Sequence, residues 1–429
     1  MTYLRLSLAI PLLVTNVLFS AQENLPQQAT MLASRDIVGS LVAEALRNNP
    51  GLEAYNKRYL AACESIDSVA LPNPKVQITH FVESIETRTG PQEQALMLQQ
   101  PIPWLSKLSR KRDAAKAQSA ALWQAYAIQQ FKLVDQTSKQ ALDIAFLEKS
   151  IVITQENIAL LKRLESIVEN KVKSGGDLGD LIRLQVEMER LIDSVAKKEA
   201  ERSATTAKLQ SLLGHKPTND IQFSFDWQAP DALTTNAAQW LYAIQERSPQ
   251  IAMLRSIAAS QEAREQLARL ASRPDFYIGL NYIWTDDASD ASVSNSGKDP
   301  WSLIFGVSLP IWYKANKATA LQATFEKEAV ASQIEELELK LLSEGRAWIA
   351  KLKDAQDRIE RYNTKLIPLA RQAQEITETS YRSGSATILD LIDSDRALLE
   401  LETEYWQAAA AAWLARWKLT ALSGGLWLN

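Results

Sequence analysis

Residues 105–173 and 315–382 each read as one helical run of about 68 residues, roughly 100 Å long at 1.5 Å per residue. No other feature constrains the fold as much, because a helix of that length needs partners packed along it. Each run breaks at a glycine, in Lys173-Ser174-Gly175-Gly176 and in Arg382-Ser383-Gly384-Ser385. Each is followed by a return helix, 178–213 or 387–423, opening with Asp180-Leu181-Ile182 or Asp390-Leu391-Ile392. The first return helix carries Leu181, Leu184, Met188, Leu191 and Val195; the second carries Leu391, Ser394, Leu398, Leu401 and Tyr405. Both sets step by three and four residues at a constant offset of 210 positions, the spacing of a coiled-coil seam. The second outbound run has the same rhythm in Ile359, Tyr362, Leu366, Leu369, Ala373 and Ile376. The return helices reach only about 55 Å each, and helices at 36–70 and 233–272, about 52 and 60 Å long, supply the remainder. The lengths close as two long helices and two broken ones.

The order of elements recurs once. Leu46-Arg47-Asn48-Asn49-Pro50 is echoed by Gln245-Glu246-Arg247-Ser248-Pro249, and each opens a helical stretch that ends in a proline signal, Leu71-Pro72-Asn73-Pro74 or Ser272-Arg273-Pro274. Two alternating segments follow each, and the second of each pair ends at Ile102-Pro103 or Leu309-Pro310. The expected organisation is a signal peptide over 1–21, a first repeat over 22–228 and a second over 229–429. The hairpins fall at 75–103 and 275–310, and an equatorial loop spans 214–232 with a short extended piece at 221–225. The apolar run from Leu4 to Ser20 supplies the signal, being too short and too broken by Pro11 and Asn16 for a membrane helix.

The alternating segments have a period of two. Phe276, Ile278, Leu280, Tyr282 and Trp284 share one face; on the returning segment Trp301, Leu303, Phe305, Val307 and Leu309 share one. The first repeat is weaker, with Val76, Ile78 and Val82 beside His80, and Leu96, Leu98 and Ile102 opposite. An apolar outer face on ten-residue strands with aromatics at the ends is the pattern of a lipid-facing barrel. The competing reading is a four-stranded sheet on a soluble core, but no helix is left to cover it. Four strands also leave two open edges, which lipid does not tolerate. Closure needs at least eight strands, hence several chains.

Composition narrows the function classes. The formal charge is −4, so no basic field is available for nucleic acid. A single cysteine, Cys63, allows no intrachain disulfide and reads as a small packed residue. The two histidines, His80 and His215, sit in unrelated settings, and no phosphate loop, HExxH pattern or nucleophile elbow is present. Neither an enzyme, nor a cofactor, nor a bound metal is expected.

Together these motifs resemble the TolC or outer-membrane factor family over essentially the whole mature chain. The residues that carry the resemblance are Asn49-Pro50 and Ser248-Pro249, Leu71-Pro72-Asn73-Pro74, Gln100-Pro101-Ile102-Pro103 and the glycine turns. Most specific is Tyr381-Arg382-Ser383-Gly384 followed by Thr387-Ile388-Leu389-Asp390-Leu391-Ile392-Asp393. The proline-rich strand entry and compact C-terminus look most like the heavy-metal (CzcC/CusC-type) branch. The resemblance implies a mainly α fold with a small membrane β part: a homotrimer whose 12-stranded β-barrel continues as a periplasmic α-helical barrel. It implies an exit duct in the outer membrane of a Gram-negative-type bacterium. Its partners would be a periplasmic adaptor (a membrane fusion protein), an inner-membrane pump of RND or ABC type, and outer-membrane lipid. It also implies a constriction at the hairpin tips. Asp390 and Asp393 match the acidic pair ringing the entrance, Tyr381 the tyrosine bracing the closed state, and Asp180 its acidic partner. Where the family's founding member has a locking arginine this chain has Ala386, leaving Arg382 or Arg183 for that role. In a trimer, Asp390 and Asp393 would form acidic rings that attract cations; helix capping is the alternative for Asp390. Tyr282, Trp284, Trp301, Trp312 and Tyr313 suit an interfacial aromatic belt, with packing against the helices the alternative for Trp312 and Tyr313. The rival function is a soluble periplasmic coiled-coil adaptor, which accounts for the heptads but not for the apolar strands.

Overall fold

The structure, a computed structural model, describes residues 37–216, 236–290 and 292–425. The signal peptide, the 221–225 piece and the boundary between the two sequence repeats lie outside them. The helices are α1 (Ile37–Asn48), α2 (Pro50–Asp67), α3 (Leu105–Lys173), α4 (Leu178–Leu212), α5 (Ala237–Arg247) and α6 (Pro249–Arg269). After the second hairpin come α7 (Tyr313–Arg361), a π-turn (Tyr362–Leu366), α8 (Ile367–Ser383) and α9 (Ile388–Leu422). Four strands, β1 (Lys75–Ile85), β2 (Gln92–Ile102), β3 (Asp275–Thr285) and β4 (Trp301–Ser308), form one antiparallel sheet in the order β1-β2-β3-β4.

The helices expected over 36–70 and 233–272 are each interrupted, at Asn49 and at Ser248. The following prolines explain this, since a residue before proline is pushed out of the helical region; Ser248 has ψ 122. Asn49 turns the break into a joint. Its Oδ1 accepts from the Leu52 N–H at 3.0 Å and its Nδ2 donates to the Leu212 carbonyl at 3.0 Å. The return helices end against these joints through left-handed glycines, Gly214 (φ 79) and Gly424 (φ 63). A Cβ on Gly214 would lie 2.5 Å from the Asn48 carbonyl oxygen, and one on Gly424 2.4 Å from that of Arg247.

The second outbound run also differs from expectation. Pro368 would clash with the carbonyl of Thr364 in a regular helix, and the chain accommodates it with the π-turn, in which the Ile367 N–H reaches Tyr362. The wide turn holds one extra residue. The seam therefore slips by one position: Leu369 and Ile376 are 62% and 58% exposed, and the packed face passes to Ala370, Gln374 and Tyr381. The return-helix seams keep their register, with Leu184, Leu191 and Leu391 buried.

The described residues divide into two compact units that cut across the repeats. One takes 54–126 and 249–339; the other takes residues up to 53, 127–248 and 340 onward. The first holds the sheet. Its Val76, Leu98, Leu280 and Leu303 are register partners in one row, and its Ile102, Phe276 and Val307 in another. The face they make is uncovered: Ile78 is 70% exposed and Phe305 77%. On the opposite face Gly306 lies under the Tyr277 ring, where a Cβ would approach to 1.8 Å. Below the sheet, Asp275 accepts from the Trp104 N–H at 2.9 Å and from Lys107 Nζ at 2.8 Å. The carboxylate of Glu265 holds Lys327, Arg269 and Thr324.

Candidate functional site at the hairpin tips

The two tips lie in the other unit. In the first, Gly175 (φ 98) reverses the chain and Asp177 caps α4 by accepting from the Gly179 N–H at 2.8 Å. In the second, Gly384 (φ 82) reverses it and its N–H returns to the carbonyls of Ser380 and Tyr381. Both turns use the left-handed conformation that glycine adopts without strain.

Asp390 stands at the third position of α9 in a capping box. Its carboxylate accepts from the Thr387 N–H at 2.8 Å and hydroxyl at 2.7 Å, and the Asp390 N–H donates to Thr387 Oγ1. These bonds from Thr387 hold its carboxyl below the ordinary range. Capping is thus realised at Asp390, on a side chain that remains exposed. Asp393, three residues on, is 64% exposed, with Arg396 at 3.6 Å. Asp180 faces Arg183 of its own helix at 3.7 Å.

Tyr381 is 2% exposed, among Leu161, Leu164 and Val168 of α3 and Ile388, Leu391 and Ile392 of α9. Lys171 Nζ sits 4.5 Å from its ring centroid. The Tyr381 hydroxyl has no hydrogen-bond partner; burial and then the Asp180 charge push its pKa up. Asp180, the implied acidic partner, thus acts on Tyr381 through its charge and not through a hydrogen bond, and the ring is held by packing. Neither expected substitute for the lock bridges the hairpins, because Arg382 pairs with Glu378 and Arg183 with Asp180, each within one helix.

The bridge is made by residues that sequence reading missed. Arg396 on α9 donates through Nε to Glu187 Oε1 on α4 at 2.8 Å, and its second nitrogen reaches Oε2. Arg396 holds the Glu187 carboxyl below its usual range, and Glu187 raises Arg396 in return. Next to Arg396, Asp395 is 2% exposed and neither of its oxygens makes a hydrogen bond of good geometry. Burial raises it to about 6, the neighbouring Gln374 amide opposes this, and Glu378 adds to it. A signal existed for both acids: Glu187 is three residues after Leu184 and Asp395 four after Leu391, on the packed sides of their seams.

The aromatic residues occupy both ends of the sheet. Tyr282 pairs in register with Trp301, donates to Asp299, and lies 5.2 Å from the Trp284 ring. At the other end Trp312 and Tyr313 are 74% and 76% exposed in the single chain. His215 pairs with Glu44 at 2.9 Å, remote in sequence from His80 on β1.

Residues 240–425 match the family model described as outer membrane efflux protein. The outer membrane protein TolC of Vibrio cholerae serotype O1 is 20% identical over 373 residues, 83% of each chain. Among solved structures, the outer-membrane channel OprN superposes with a TM-score of 0.77 at 19% identity, covering 91% of each chain. CusC, whose structures concern folding and transmembrane channel formation, gives 0.74 at 18% identity, covering 90% of this chain and 92% of its own. The near-equal scores do not single out the CusC branch.

Proposed function

We propose that the chain belongs to the outer membrane efflux protein family, whose model its residues 240–425 match, and that three copies close one barrel and serve as the exit duct of a tripartite efflux or secretion system. It resides in the outer membrane and extends into the periplasm; its work is transport, not catalysis. A periplasmic adaptor and an inner-membrane pump deliver the cargo. Three sheets supply twelve strands and satisfy the open edges at β1 and β4, which a single chain leaves unpaired.

The observation that carries this reading is the uncovered apolar face of the sheet in a chain where no described helix is long and apolar enough to cross a membrane. From Phe276 to Trp284 the strand advances about 27 Å. Tilted as barrel strands are, that is about 20 Å of thickness, near the apolar band of known barrels. Tyr282, Trp284 and Trp301 would mark one interface, and Trp312 and Tyr313 the other. A soluble adaptor has no use for such a surface.

At the tips, Asp390 and Asp393 from each copy would ring the periplasmic entrance and favour cations, with Tyr381 plugging the wall behind them and Asp180 contributing charge from the first hairpin. Planar-bilayer recording tests this. The double change Asp390→Ala and Asp393→Ala is expected to lower cation-over-anion permeability while the trimer survives; unchanged selectivity would remove these carboxylates from the entrance. A purified protein that stays monomeric without detergent would defeat the duct itself.

A further inference from the structure

The chain as a whole is acidic, yet its charge is sorted across the sheet. Register gathers Lys75, Ile102, Asp275 and Ser308 at one end, where α3 and α7 begin. Position 75 and the spans 103–117, 271–276 and 309–318 around that end hold nine Lys or Arg against two Asp. The loop end, 83–93 and 285–300, holds seven Asp or Glu against two Lys or Arg. At the basic end Arg110, Lys111, Arg112 and Lys116 on the first turns of α3, with Lys314 and Lys317 on α7, are all exposed. Arg110 also reaches Asp113, and Arg112 the Val69 carbonyl, without losing that exposure.

These cations adjoin the exposed apolar and aromatic residues Leu309, Ile311, Trp312 and Tyr313. Lys317 follows Tyr313 by about 6 Å of helix. Rings at the ester level with cations a turn beyond them match the layering of a phospholipid monolayer, in which long basic side chains reach the phosphates. An acidic partner protein would account for the charge but not for the wide aromatic and apolar surface merging into it.

We propose that this end of the sheet unit binds anionic phospholipid headgroups of the periplasmic leaflet, the phosphates meeting Lys111, Arg112, Lys314 and Lys317. The proposal rests on the membrane reading above and adds a lipid preference to it. A basic residue near an anionic surface contributes enough to make a several-fold preference expected, screened by salt.

The test reconstitutes the full-length protein in vesicles containing brominated phosphatidylcholine or brominated phosphatidylglycerol and reads quenching of its tryptophan fluorescence. The phosphatidylglycerol form should compete for the protein roughly three- to tenfold better at low salt, and less so at high salt. The variant Lys111→Gln/Arg112→Gln/Lys314→Gln/Lys317→Gln should lose that preference while keeping its quenching by phosphatidylcholine, which reports intact insertion. Equal quenching of the wild type by both lipids would overturn the lipid preference and leave the duct standing. A preference surviving in the variant would overturn its assignment to these residues. Absence of quenching by either lipid would overturn the membrane reading, and this proposal with it.

Discussion

The hairpin unit and the sheet unit both bury alanines, but among the described residues the hairpin unit buries far more large aliphatic side chains. In the hairpin unit Leu161, Leu164, Leu184, Ile388 and Leu391 are all within 1% of complete burial, and they close around Tyr381. In the sheet unit the buried apolar residues, among those described, are Ala114, Ala121, Ala263, Ala323, Val330 and Ile251. Its large side chains face outward instead, as those of the strand face do: Leu321 is 50% exposed, Phe325 59% and Leu339 71%. Alanine seams let helices approach closely but remove little apolar surface from water. The first unit therefore has a core within one chain, and the second leaves its apolar surface uncovered, which the proposed duct would give to lipid and further copies.

That contrast makes the units respond differently to substitution. The largest effect is expected from Leu391→Ala or Leu184→Ala, which empties part of a closed core at a cost of about 4 kcal/mol. It should appear as a lower midpoint for loss of helical circular dichroism. Truncating Leu321, half exposed in the single chain, tests the other side: a comparable loss there would mean that neighbouring copies bury it as deeply as a core. Next comes Phe305→Arg. An arginine near mid-bilayer on the outward face of a barrel costs about 2–4 kcal/mol. Trimer yield from the outer membrane should fall, whereas Ser302→Arg on the opposite face should be tolerated. If the two behave alike, the face assignment is wrong.

Acidity separates the units by sign. Asp395 in the hairpin unit has its folded pKa raised, from the ordinary 3.8 to about 6. The folded chain thus holds a proton that the unfolded chain has released, so its contribution is largest below about pH 4 and is lost as pH rises through 6. The loss is at most roughly 3 kcal/mol, and Asp395→Asn should remove it, raising stability at neutral pH. Glu265 in the sheet unit is the reverse, its carboxyl held down at about 2 by Lys327 and then Arg269. Its contribution is present above 4.5 and disappears as pH falls toward 2. Denaturation profiles of Asp395→Asn and Glu265→Gln should therefore flatten on opposite flanks. Identical profiles would erase the distinction.

Much of this architecture was legible in the order of residues, because long helices and alternating strands advertise their periods. Strand ends, return helices and glycine turns fall where the pattern puts them. Pro368 was visible but its consequence was not: a π-turn shifts the phase of every later position, and so Leu369 and Ile376 read as seam residues when the packed positions are Ala370 and Gln374. The tip was half legible. The acids Asp390 and Asp393 belong to a local motif, whereas the Glu187–Arg396 contact joins residues 209 positions apart, and a heptad pattern records that a side chain faces inward without recording its partner.

That contact gives the smallest and sharpest of these effects. Arg396 is 47% exposed and Glu187 only 8%, so water screens one partner while the other has been taken out of it. The pair's net coupling should then be about 1–2 kcal/mol, below that of a fully buried pair. Removing Glu187 leaves a cation that can turn to Asp393 or solvent, whereas removing Arg396 leaves a buried carboxylate with only the longer contact to Arg190, 3.8 Å away. Arg396→Ala should accordingly destabilise more than Glu187→Ala, and the double variant should recover part of the difference in a double-mutant cycle. If the pair also restrains the hairpins from parting, either single change should raise the open fraction of reconstituted channels, and the Leu391→Ala cavity should do so less per unit of stability lost. A cycle with no coupling and unaltered gating would reduce this ion pair to a surface contact.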